Sequence, residues 1–427
     1  MNHQITTLKN GLRVVSVTMP QAYSATVSVT TGVGSRYEQF KTNGGVSHFL
    51  EHLFFKGTKK RPSTKIISEQ VDAVGGYANA YTSNELTNFY IKVPYQQVQL
   101  AMDILADMMR NSLFDASEID RERGVVLEEM NVYRDDPASH VHSLTPHLLW
   151  PGHPLAEEII GSEKVIKRVK RDEIIAHRDT FYRPGNMVVA AAGRVDHDKL
   201  VAMAEQLYGD MTDQPAPVSP KVEQILTGNR TKTLAQDTAQ THLAISTVGY
   251  PYRHPKEAAS RLMAAILGRG LSSRLFLNVR ERKGLAYRVN AGLETFTDTA
   301  AFEVYAGVGH DKVPEAIAAI CEELRTIIAQ PVPEGELNKA KNQIRGGLQM
   351  AMENNSAVVD RLSTQLTLLG SIRSVEETLA ELDAVTAAEI QRVAAEMLAP
   401  DRLRLGIISP DPAPAVKAFR AATGTRS

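Results

Sequence analysis

The chain has 427 residues, 43% hydrophobic and 23% charged, which is ordinary for a globular protein and too long for one compact domain. A formal net charge of -1 gives no long-range attraction to nucleic acid or to an anionic membrane. One cysteine, Cys321, excludes an internal disulfide framework and a cysteine-rich metal site, and fits a reducing compartment.

The opening text, MNHQITTLKNGLRVVSVTMP, lacks the basic, apolar and cleavage segments of a signal peptide. No stretch reaches the roughly 18 uninterrupted apolar residues of a membrane span. A soluble, cytoplasmic protein with no membrane or nucleic-acid partner is the expectation. In chain order, KNG is a turn signal, and LRVVSV and ATVSVTTGV are β-branched, partly alternating strands. GGVSHFLEHLFFKGT predicts a helix that stops at Gly57, with Pro62 shortly beyond. STKIISEQVDAVGG predicts a second helix, with Ser63 as N-cap and two glycines at its end. YANAYTSNELTNFYIKVP reads as two paired strands. YQQVQLAMDILADMMRNSLF is an amphipathic helix, and SEIDRERGVVLEEMNVYRDD is another that starts near Ser117.

The pattern breaks at Pro215, Pro217 and Pro220, so residues 214–227 read as a linker between an N-terminal domain, 1–213, and a C-terminal domain, 228–427. The first half then recurs. THLAISTVGYPYRHPKEAASRLMAAILG repeats the strand, polar loop and apolar helix of ATVSVTTGVGSRYEQFKTNGGVSHFLEHLFFKG. AFEVYAGVG is a strand, and VPEGELNKAKNQIRGGLQMAMENNSAVVDRLSTQL repeats DASEIDRERGVVLEEMNVYRDDPASHVHSLTPHL. A period of roughly two hundred residues is that of a duplicated domain, not a solenoid. The expected fold is α+β, two homologous α/β domains, each an antiparallel-rich sheet packed with helices. AAEMLAPDRLRLGIIS predicts a last helix and strand, and APAVKAFRAATGTRS a helix with a frayed end. The basic runs KVIKRVKRDE and FKGTKKRP read as solvated faces.

The two halves differ at one place. Laying Ser260 on Ser47 sets Arg261, Ala264 and Ala265 opposite His48, Glu51 and His52. Laying Glu336 on Glu118 sets Ala340 and Gly347 opposite Glu122 and Glu129. The second copy keeps the helices and loses the polar groups, so the fold does not need them. On a helix, positions i, i+3 and i+4 share a face, so His48, Glu51 and His52 point the same way. Two imidazoles one turn apart can grip one metal ion, and H-x-x-E-H is the inverzincin pattern. A lone histidine on an apolar helix is more often a hydrogen-bonded core residue; two with a glutamate between them are a metal site. A catalytic zinc takes three protein ligands, commonly two His and a carboxylate. ERGVVLEEM supplies Glu122, Glu128 and Glu129; Glu122 and Glu129 share a face, and Glu128 is turned about 100° from Glu129. Glu129 is the expected ligand, Glu122 the outer partner of a histidine N–H, and Glu51 the general base for water activated at the zinc.

HFLEHLFFKGT followed by ERGVVLEEM resembles the pitrilysin/insulysin zinc metallopeptidases, in the bacterial branch similar to the β-subunit of the mitochondrial processing peptidase. GGYANAYTS, HPLAEEIIG, FYRPGNMVVAAAG and LSSRLFLNVRERKGLAY extend the resemblance over nearly the whole chain. It implies one zinc ion per chain on His48, His52 and Glu129, with Glu51 as base and Glu122 in support. It also implies that Arg280 and Tyr287 hold the substrate backbone and the oxyanion, and that Ala78, Asn79 and Ala80 form an edge strand to which a peptide substrate adds. It implies a clamshell homodimer around a closed chamber, in which Arg280 and Tyr287 act in trans. Arg269 stands within a usually glycine-rich stretch, and that loop is shorter than the one in the processing-peptidase α-subunit, which argues against presequence processing. The expected function is a zinc endopeptidase for short or unfolded peptides. The alternatives are a non-catalytic structural or peptide-binding subunit of the same fold, or one chain of a heterodimeric processing peptidase.

Overall fold

Branched side chains with restricted χ1 suit a pleated, buried surface, and LRVVSV and ATVSVTT lie in strands of the computed structural model. They form β2 (Arg13–Thr18) and β3 (Ser24–Thr31), after a short β1 (Gln4–Thr7). The structure describes residues 2–223, 226 and 228–424. YANAYT and TNFYIKVP pair antiparallel as β4 (Tyr77–Thr82) and β5 (Thr87–Pro94), and β6 is Met187–Gly193. The first sheet runs β1-β2-β6-β3-β5-β4, which leaves β4 at an edge. A second sheet runs β7-β11-β8-β10-β9, built from β7 (Thr231–Ala235), β8 (Thr241–Gly249), β9 (Ala286–Thr295), β10 (Ala300–Val308) and β11 (Arg404–Ser409). From β2 onward the two sheets match strand for strand. In each, the first pair is parallel and every later pair antiparallel. The fold is α+β, and the repeat read in the sequence is a repeat of sheet topology.

The chain forms two compact units, and neither is contiguous. One contains Met1–Met130, Glu158–Pro220 and Leu348–Val375; the other contains Asn131–Glu157, Lys221–Gly347 and Glu376–Ser427. The sequential division 1–213 and 228–427 therefore does not describe which residues pack together. The physical reason is the second face of each sheet. In the first unit Val358, Val359, Leu362 and Leu366, on the helix Asn355–Leu369, cover Val15, Val17, Val188, Ala190 and Ala192. Four aliphatic side chains buried there stabilise the unit by roughly 6–12 kcal/mol before entropy is counted. In the second unit Val141 and Leu144 lie against Ala244, Tyr305 and Ile408. Each half of the sequence thus lends a segment to the other half's sheet.

Of the expected linker, Gln224, Ile225 and Thr227 lie outside the described residues. Arg36, only 1% exposed, holds the Pro220 carbonyl (2.8 Å). The terminal helix spans Ala413–Thr423, and residues 425–427 lie outside the described residues. Among the described residues no helix is long and apolar enough to cross a membrane.

Candidate metal centre

The helix Val46–Phe54 carries the HFLEH text. Its N-cap is Gly45, with φ of 94°, which supplies no side-chain acceptor. Buried Glu38 does that work instead, accepting from the backbone N–H of Gly45 and of Ser47, both at 2.6 Å. Burial pushes the Glu38 pKa up to about 7, against the pull of those N–H groups. Phe49, Leu50, Leu53 and Phe54 of the helix are buried in the core beneath the sheet. The stripe left over is His48, Glu51 and His52, all partly buried. The helix ends at Phe54, three residues before the expected stop, and Gly57 shapes the turn that follows. Gly57 has φ of 131°, and a Cβ there would sit 2.8 Å from the Pro62 carbonyl oxygen.

The long helix Ala116–Asp135 brings its acidic residues to this stripe. One ligand atom each from His48, His52 and Glu129 lies within 4.8 Å of the others. His48 Nε2 is 3.8 Å from Glu129 Oε1, and His52 Nε2 is 3.6 Å from Glu129 Oε2. Ligands bound tetrahedrally to zinc at about 2.0–2.2 Å stand about 3.4 Å apart, so these donors fit the ion. Glu122 points to the other side of His52: its Oε1 accepts from His52 Nδ1 (2.8 Å), and its Oε2 from Lys56 Nζ (2.7 Å). Glu129 therefore faces both imidazoles, and Glu122 meets the far side of His52. The two histidines differ, because His48 Nδ1 is buried with no hydrogen-bond partner among the described residues.

Burial, then the neighbouring His52, holds the His48 pKa down to about 3, so its imidazole is neutral and free to ligate. Burial also lowers His52, but the hydrogen bond to Glu122 and the charges of Glu51, Glu129 and Glu122 outweigh it, and the net direction is up. Burial raises Glu51 above the usual carboxylate range, partly offset by Thr82. Thr82 Oγ1 donates to Glu51 Oε2 at 2.6 Å. The sequence reading missed Thr82, although strand alternation puts it on the same face as Ala78 and Ala80, which pack against the core. It also missed Glu38 and Lys56. FKGTKKRP is no uniformly solvated face, since Lys60 meets Asp103 (2.5 Å) and Arg61, 5% exposed, meets Asp103 (2.6 Å) and Asp107 (2.9 Å).

On the edge strand β4, Ala78 and Ala80 are half-buried and Asn79 is exposed. Asn79 Oδ1 accepts from the Ala80 N–H (2.9 Å), and Asn79 Nδ2 donates to the Tyr77 hydroxyl (2.8 Å). In the second unit Arg280 lies in the π-helical segment Phe276–Arg282, and Tyr287 lies near the start of edge strand β9. The two are together there: the Arg280 guanidinium sits 5.7 Å from the centre of the Tyr287 ring, which is 76% exposed.

Residues 13–163 match the family described as insulinase, peptidase family M16, and residues 168–344 match its companion, described as the peptidase M16 inactive domain. A Mycobacterium tuberculosis protein named as an uncharacterized zinc protease is 38% identical over 398 residues, 92% of this chain and 90% of its own. The Bacillus subtilis protein YmxG, also named as a zinc protease, is 32% identical over 404 residues, 95% of this chain and 97% of its own. The crystal structure of a protease from Helicobacter pylori superposes with a TM-score of 0.89 at 24% identity, covering 96% of this chain and 99% of that one. This chain belongs to the insulinase family of M16 peptidases.

Proposed function

We propose that this chain is a zinc-dependent endopeptidase that hydrolyses short or unfolded peptides. The observation that carries the reading is the donor group itself. Two imidazoles and a carboxylate converge within 4.8 Å beside a second glutamate, Glu51, which is on the same helix face as the histidines and held by Thr82 through the hydrogen bond above. A structural metal site has no use for such a base. When bound, zinc supplies Lewis acidity for a substrate carbonyl and lowers the pKa of water to about 7. His48, His52 and Glu129 would hold it, and Glu122 would fix His52. Glu51 takes a proton from the attacking water and delivers it to the leaving amine. The peptide adds to β4 along Ala78, Asn79 and Ala80 through main-chain hydrogen bonds, displacing the Asn79 side chain from the Ala80 N–H. That mode of binding depends little on substrate sequence.

The rest of the reading is a cytoplasmic homodimer with a closed chamber. An N-terminal half, 1–213, carries the metal, and a metal-free C-terminal half, 228–427, offers Arg280 and Tyr287 to the partner's site. The zinc-protease names of the relatives support the metal and the reaction class. The intact donor set and Glu51 speak against a non-catalytic subunit. The test is cleavage of a quenched fluorescent peptide set by wild type and Glu51→Gln, with metal content measured on both. Wild type should cleave, lose activity to a chelator and regain it with zinc. Glu51→Gln should hold equal zinc and lose activity by about 10²–10⁴-fold. Zinc-loaded wild type that cleaves nothing would move the reading to a binding or heterodimeric role.

A further inference from the structure

We propose that Lys56 is a positioning residue for the metal ligand His52, acting through Glu122, and that it thereby sets the affinity of the site for zinc. The proposal rests on the zinc reading above. Its observation is the way one buried carboxylate is shared. The Glu122 side chain is 4% exposed, and each of its oxygens has one donor: His52 Nδ1 on Oε1 and Lys56 Nζ on Oε2. An ionised carboxylate only accepts, so His52 Nδ1 carries the proton and Nε2 keeps its lone pair. That lone pair belongs to the nitrogen 3.6 Å from Glu129.

A carboxylate held by one oxygen can still turn, because its terminal torsion is broad and roughly two-fold. Held by both, it is fixed in plane. Lys56 follows His52 by four positions, just past the helix end, where its own N–H still reaches back to the Leu53 carbonyl (3.1 Å). One carboxylate from the long helix therefore bridges a ligand and a lysine that share a side of the same segment. The lysine is 24% exposed at its side chain, so it is turned inward to Glu122 and is not a free surface charge. Without it, Oε2 of Glu122 is a buried acceptor with no cation. The carboxylate then swings, and His52 loses its fixed orientation.

The experiment measures the zinc dissociation constant of the full-length protein by competition with a chromophoric chelator, zinc being the only ligand added. Lys56→Met should weaken zinc by about 10–100-fold, the range for loss of an outer-shell partner. Lys56→Arg should recover affinity to within a few-fold. In a Glu122→Gln background, Lys56→Met should add little, because the partner through which it acts is already altered. Wild-type affinity in Lys56→Met overturns the proposal, as does Lys56→Arg binding as weakly as Lys56→Met, or an undiminished effect in the Glu122→Gln background. If Lys56→Met does not fold, Lys56→Gln replaces it; it keeps a donor without the charge and should fall between wild type and the expected loss, and wild-type affinity in it overturns the proposal equally. Zinc binding by wild type separates the two levels. A wild type that binds no zinc removes the metal reading and the proposal with it, whereas a wild type that binds zinc no better than Lys56→Met removes the proposal alone.

Discussion

Thr82→Val tests whether the Glu51 carboxylate must be held still. The substitution keeps the β-branched shape at the end of β4 and removes only the hydroxyl that donates to Glu51 Oε2 at 2.6 Å. A hydrogen bond to a charged group contributes about 1.5–3 kcal/mol. If that bond keeps the base in its reactive orientation, its loss lowers kcat by about 10–150-fold at about 1.4 kcal/mol per tenfold. KM should not move, because the hydroxyl faces Glu51. Zinc content should not move either, because among the described residues the Thr82 hydroxyl bonds to Glu51 and not to His48, His52 or Glu129. Thr82→Ser restores the hydroxyl and should recover most of kcat. The assay is steady-state peptide cleavage with metal content and melting temperature as controls. A wild-type kcat in Thr82→Val, or a Thr82→Ser enzyme as slow as Thr82→Val, would refute the reasoning.

Two further perturbations test the electrostatics and the assembly. Burial holds the His177 pKa down to about 4 from 6.5. The unfolded chain therefore binds this proton first as pH falls, and stability is full above 6.5 and lost toward 4. Between pH 7 and pH 5, metal-free wild type should lose about 2 kcal/mol more in urea denaturation than His177→Gln; equal losses would show that His177 is not buried as a neutral ring. If Arg280 serves the partner's zinc, co-expressing Glu51→Gln with Arg280→Ala should restore about a quarter of wild-type activity, since about half of randomly paired two-fold dimers are mixed and each of those has one complete site. Activity no higher than the mean of the two parents would place Arg280 in its own chain's site or outside the reaction.

Much of the candidate donor group was legible because helix phase is local. The i, i+3, i+4 spacing of His48, Glu51 and His52 and the seven-residue spacing of Glu122 and Glu129 need no tertiary information. What surrounds them was not. Glu38 caps the helix from across a turn that includes a left-handed glycine, so no spacing rule points to it. Lys56 sits in a run of cations whose members go to different acids, and composition gives them one shared reading. β1 went unseen because QITT is polar and exposed and shows no apolar alternation. The repeat was visible, as were the helices at its end. The sheet each helix would cover was not, because an apolar stripe shows that a partner exists but not which one.

That exchange of segments bears on how the protein is made. The first sheet has all its strands once Gly193 has left the ribosome, but Val15, Val17 and Val188 wait for the helix Asn355–Leu369. At about 5–20 residues per second, the roughly 180 residues from Gly193 to the end of that helix take about 9–35 s to synthesise. For that interval the nascent chain carries a sheet with one apolar face uncovered. A chain truncated before that helix would keep this apolar face exposed and would be prone to stick to its neighbours.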